Sequence, residues 1–139
     1  MDFKALMQEA NEIKENGGGS GEYKEVEAGE YEVAIDKLEL GKSKAGNDML
    51  VIWFTILEGE FKNSKLFYNQ AITSGFGLHK ANEMLRSLKS DVPVAADSIE
   101  AYADMVADIF DDVTEKYEYQ VKYAPKAKDT LKITDVFNI

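Results

Sequence analysis

The sequence predicts a mainly β protein with helices (an α+β fold), in which five strands form a small barrel and a helical insertion separates the third strand from the fourth. Three observations predict it. Apolar residues alternate with period two in three successive segments between Gly29 and Thr73. Helical spacing takes over across residues 75–115. Period two then returns in two last segments ending near Phe137. The 139 residues suffice for one core, and the absence of cysteine excludes both a disulfide framework and a thiolate metal site.

At the N-terminus, Phe3, Leu6, Met7, Ala10 and Ile13 fall on one face of an amphipathic helix, and Gly17 to Gly21 break it as a flexible linker. Residues 1–21 are therefore expected to be a tethered helix, and residues 22–139 the domain proper. So short a helix is marginal alone and is expected to dock on the domain or on a partner. In the first strand Tyr31, Val33 and Ile35 alternate with Glu32, Ala34 and Asp36, after which the phase slips so that Leu38 and Leu40 point inward. A slip of one residue is what a β-bulge produces. Gly41 to Asp48 is a turn, Met49 to Leu57 the second strand, Gly59 and Asn63 mark the next turn, and Lys65 to Thr73 is the third strand. Ser74 to Leu88 reads as a helix with Leu78, Ala81, Leu85 and Leu88 on one face. Beyond Pro93, Asp97 with Glu100 predicts a capping box for a second helix carrying Tyr102, Val106, Ile109 and Val113. Tyr117 to Tyr123 and Thr130 to Phe137 are the last two strands. Three strands, a helical insertion and two strands is the plan of the five-stranded OB-fold. A sandwich of the immunoglobulin type would need about seven strands.

No apolar run reaches the ~20 residues of a membrane span. The first residues carry acids where a signal peptide needs bases, so a cytoplasmic protein is expected. The formal charge is −10, which by itself opposes a nucleic-acid ligand. The charge is uneven, however. Residues 91–120 hold 1 base and 9 acids, whereas residues 31–90 hold 8 bases and 7 acids, and residues 121–139 hold 4 bases and 2 acids. Acid concentrates in the helical stretches, and the strand-rich parts stay neutral to mildly basic, which leaves a groove usable by a polyanion.

On the second strand Ile52, Phe54 and Ile56 form an apolar face, and Val51, Trp53, Thr55 and Leu57 the other. The second face holds a threonine and the single tryptophan, so it is the candidate ligand face. On the third strand Lys65, Phe67, Asn69 and Ala71 oppose Leu66, Tyr68, Gln70 and Ile72. Lysine beside aromatic is the mixture a single-strand groove needs, one for phosphate and one for base. The candidate stacking residues are Tyr31, Trp53, Phe67, Tyr68 and Tyr119, and the candidate phosphate contacts are Lys42, Lys44, Lys62, Lys65 and Lys122, with Tyr123, Lys126 and Lys128 on the last strand pair. Each aromatic has core packing as its competing reading, and each lysine an ordinary solvated charge; the case rests on the set. For catalysis the inventory is thin. His79 is the one histidine, with no nucleophile near it in sequence, and Gly17–Gly19 lacks the GKS or GKT of a phosphate loop. Asp108, Asp111, Asp112 and Glu115 read as a solvated helix face rather than a cation site. A non-enzyme without cofactor or metal is expected.

The stretch from Gly29 to Ile72 resembles a family of bacteriophage proteins catalogued as a domain of unknown function, several members of which are described as single-stranded DNA-binding proteins with an OB-fold. The resemblance is carried by the opening Gly29-Glu30-Tyr31, the turn Lys42 to Asn47, the strand end Leu57 to Lys62, the strand beginning at Lys65 and the helix Gly75 to Leu88. It implies a protein that coats single-stranded DNA in replication or recombination without sequence preference; a homo-oligomer is compatible with this reading. The chain departs from bacterial single-strand binders in ending on a strand instead of an acidic tail, so the Phe3 to Ile13 segment becomes the candidate for recruiting phage replication or recombination proteins. The alternative expectation is an acidic interaction protein or inhibitor that binds a host or phage protein, even as a DNA mimic.

Overall fold

The computed structural model describes residues 25–139, so the expected N-terminal helix and glycine linker lie outside the described residues. The elements are β1 (Gly29–Lys42), β2 (Asp48–Ile56), β3 (Lys65–Ala71), α1 (Gly75–Ser87), α2 (Ile99–Val113), β4 (Tyr117–Tyr123) and β5 (Leu131–Asn138). All strand pairs are antiparallel, in one sheet ordered β3-β2-β1-β4-β5. The 14-residue β1 serves two partners: Gly29 to Val33 pair with β4, and Val33 to Lys42 pair with β2. Its register with β2 shifts between Ile35 and Lys37, which is the bulge the phase slip predicts. Asp36 is the extra residue, and the shift lets both Ile35 and Leu38 reach the core. Bulges increase twist and bend the strand that carries them. β3 and β5 are the two edges, and no ladder joins them among the described residues, so the sheet is open along that seam. Helix α1 packs against both β3 and β5 and so spans the opening, while α2 packs against β1.

The core lies between the inner face of the sheet and the two helices. Leu50, Ile52, Phe54 and Ile56 of β2 are all within it, as period-two reading of that strand expects. Burying each such side chain contributes roughly 1.5–3 kcal/mol. From the helices, Leu85, Leu88, Val106, Ile109 and Val113 meet them, and none is exposed. Tyr119 is fully buried in the same cluster, and its hydroxyl donates to the carbonyl oxygen of Leu88 at 2.7 Å. That bond satisfies a hydroxyl whose desolvation would otherwise cost free energy, and it corrects the expectation that Tyr119 stacks a base.

Capping chemistry sets both helix starts. The Ser74 side chain accepts from the Gly77 amide at 3.1 Å, and the Ser98 side chain accepts from the Ala101 amide at 3.0 Å. The second cap falls one residue later than the capping box predicted at Asp97. Ser98 keeps extended backbone angles and Ile99 is the first helical residue, so Glu100 sits too early to reach back reciprocally. Gly77 is required by close approach: a Cβ there would meet the carbonyl oxygen of Ala71 at 2.3 Å. This contact presses the first turn of α1 onto the end of β3. Among the described residues no helix is long and apolar enough to cross a membrane.

Candidate nucleic-acid interface

The two helices cover the inner face of the sheet, and the outer face carries a row of three residues in register. Trp53 of β2 lies opposite Phe67 of β3 on one side and Lys37 of β1 on the other. The Trp53 and Phe67 rings meet edge to face, with centroids 5.3 Å apart and planes at 89°. The Lys37 ammonium stands 4.3 Å from the centre of the Trp53 ring. Phe67 is 43% exposed, so part of its ring faces solvent beside Trp53. In the next row Lys65 lies opposite Thr55, donating to its Oγ1 at 2.6 Å and to Asp36 at 2.8 Å. The bulge thus supplies the carboxylate that holds Lys65 beside the aromatic pair. On the other side Asn69 and Val51 continue the face.

The structure brings together Trp53, Phe67 and Lys65 of the sequence-predicted set. Lys122 shares the outer face, exposed on β4 between Glu30 and Lys132. Lys62 is exposed in the β2–β3 turn. Lys42 pairs with Asp48 at 2.7 Å at the end of β1, and Lys44 lies in the β1–β2 turn beside it. Two further aromatics are not part of the outer face. The Tyr31 ring packs edge-on against Phe61 at 6.0 Å and its hydroxyl donates to the Glu27 carbonyl oxygen, which makes it a core-margin residue. Its position follows from register: it shares the inward parity of Val33. Tyr68 is likewise inward, half-buried, and desolvation pushes its hydroxyl up to about 12.

Where the sheet opens, a cleft of about 720 Å³ lies between β3, α1, β5 and the β4–β5 loop. Phe67 and Tyr68 line it from β3, Phe76 and Lys80 from α1, and Lys128 and Lys132 from the loop and β5. Phe67 therefore belongs to the outer face and to the cleft at once, which makes the two continuous. Phe76 is 71% exposed, the most exposed of the large apolar side chains described, and the Lys80 ammonium stands 5.3 Å from its ring. Lys80 also pairs with Asp129 at 2.9 Å, tying the loop to α1 and holding the Asp129 carboxyl below the usual carboxylate range. His79, expected as an isolated helix residue, is on this wall too.

Lys37, Phe76, Lys80 and Lys132 were not among the expected site residues, yet the first two carried a signal. Once the β1 phase slips to point Leu38 inward, Lys37 must point outward. Phe76 is apolar but falls off the stripe of Leu78, Ala81, Leu85 and Leu88. Lys80 and Lys132 had none, because only the curled sheet brings α1 and β5 to one cleft.

Away from this region, Asp112 accepts from Ser90 at 2.6 Å and from the Asp91 amide at 2.9 Å, and pairs with Lys116 at 2.6 Å. This member of the predicted acidic helix face thus ties α2 to the segment between the helices. A family model described as Protein of unknown function (DUF669) matches residues 11–117. That span includes Lys37, Trp53, Phe67 and Phe76 and stops before the β4–β5 loop and β5. No curated protein matches the chain.

Proposed function

The chain belongs to the family described as Protein of unknown function (DUF669), and we propose that this member is a sequence-independent single-stranded DNA-binding protein built on an open OB-type sheet, acting in the cytoplasm of a phage-infected bacterium. The observation that carries the reading is the Trp53–Phe67 pair presented on the outer face of adjacent strands, with Lys37 and Lys65 at its margins. Bases of any sequence stack on such rings, each worth roughly 1–3 kcal/mol. A base arriving on Trp53 takes the position of the Lys37 ammonium, which then turns to the neighbouring phosphate. Lys37 is otherwise paired with Glu39 at 3.1 Å, a half-exposed contact worth little in water.

The strand order supports the OB assignment. A long bulged β1 shared between β2 and β4, a helix between β3 and β4, and an opening between β3 and β5 spanned by that helix are its arrangement, and strands two and three are the binding face of the class. The resemblance of residues 29–90 to phage single-strand binders supports the ligand. The net charge is compatible because α2, which carries the exposed acids Asp104, Asp108 and Asp111, covers the opposite side of the sheet. A second reading, an acidic protein that captures a basic partner or mimics DNA, is favoured by that same acidic helix.

Titration of the single-tryptophan protein with poly-dT, followed by Trp53 fluorescence at low salt, separates the two. Quenching of the parent is expected. Trp53→Ala has no tryptophan, so it is followed by the anisotropy of a dye-labelled oligo-dT alongside the parent, and it is expected to lose at least about fivefold in affinity. A normally folded Trp53→Ala that binds as tightly as the parent removes the aromatic pair from the site. Absence of any binding by the parent turns the reading to the protein-capture alternative.

A further inference from the structure

We infer that the cleft between β3, α1 and the β4–β5 loop is a second nucleotide-binding site that continues the strand path beyond Trp53 and Phe67; the inference rests on the single-stranded DNA reading of the outer face. Three features of the cleft select this ligand. The first is Phe76, exposed by 71% at the cleft wall, where burial gives no reason for it and a base would. The second is charge. The whole chain is at −10, yet the cleft gathers Lys80, Lys128 and Lys132 against only Glu83 and Asp129. A cationic cleft on an acidic protein fits a phosphodiester rather than a basic partner. The third is continuity: Phe67 is shared by the cleft and the outer face, so a strand leaving Trp53 need cross no barrier to reach Phe76.

The Lys80–Asp129 pair, 2.9 Å apart, lies in this path. A phosphate entering the cleft competes with the Asp129 carboxylate for Lys80, and the carboxylate opposes the ligand by like charge. Loading the cleft therefore exchanges an intramolecular ion pair for an intermolecular one and frees the β4–β5 loop from α1.

Three variants of the full chain test this with oligo-dT of increasing length, read by Trp53 fluorescence. Phe76→Ala is expected to weaken binding by at least about fivefold for long oligonucleotides, and to leave the shortest bound length, which occupies only the outer face, unchanged. Lys128→Gln combined with Lys132→Gln is expected to flatten the log–log salt dependence by about 1.4, two contacts at about 0.7 each. Asp129→Asn is expected to tighten binding, a change of sign that misfolding does not produce. If the parent quenches on DNA while all three variants match it at every length, the cleft is not part of the path and the outer-face reading stands. If the parent binds no DNA, both fall together.

Discussion

At the scale of single residues, Gly77 shows how two effects compete. Alanine is the better helix former by about 0.5–1 kcal/mol, so Gly77→Ala would stabilise an isolated α1. In the fold its Cβ would meet the Ala71 carbonyl oxygen at 2.3 Å, and a backbone atom cannot swing aside as a side chain can. The steric cost wins: Gly77→Ala is expected to lose about 1–3 kcal/mol, measured as a lower urea midpoint with an unchanged slope. An equal or higher midpoint would mean that α1 slides on β3 without cost. The close approach was not legible in the sequence, where Gly77 is only a glycine near a helix start. Which residues share a face of β2 and β3 was legible, because period two groups them without knowledge of neighbours. Core packing stood as the competing reading for Trp53 and Phe67 until the structure turned Phe54 in and both of them out. The expected stacking residues that the structure turns inward are Tyr31, Tyr68 and Tyr119. Their parity placed them inward, but tyrosine suits a wet face and a core equally until a partner such as the Leu88 carbonyl is seen.

At the scale of elements, the attachment of α2 gives a pH dependence of defined sign. Hydrogen bonds from Lys116, from Ser90 and from the Asp91 amide hold the Asp112 carboxyl down at about 2, below its ordinary range near 4. A group held below its unfolded value contributes stability above that value and loses it as the pH falls through the folded one. Thermal unfolding followed by circular dichroism should therefore show a falling midpoint between about pH 4 and pH 2, with a shallower fall in Asp112→Asn and a lower midpoint for that variant at neutral pH. Identical acid profiles would assign the anchoring to other contacts. Element boundaries and the β1 bulge were readable in advance, since both follow from local pattern. The cap of α2 was misread by one residue because Asp97 and Ser98 are both good caps, and only the backbone angles at Ser98 decide between them.

At the scale of the whole molecule, the contrast between a −10 chain and a locally basic cleft bears on how binding responds to salt. About four phosphate contacts would give a log–log slope near −3. Repulsion from the acidic helix acts against DNA and is itself screened by salt, so the observed slope is expected to be no steeper than that. A much steeper slope in a poly-dT titration would mean that lysines beyond the aromatic pair and the cleft, such as Lys62 and Lys122, also reach phosphate. The division of β1 between β2 and β4 also has a kinetic consequence. Its pairing with β2, and that of β2 with β3, join neighbours along the chain and close short loops. Its pairing with β4 must wait for both helices to be threaded between, a long and entropically costly closure. The meander that bears Trp53 and Phe67 is thus the part of the protein that can assemble early, and the β4–β5 hairpin, with the loop that walls the cleft, is the part that arrives last.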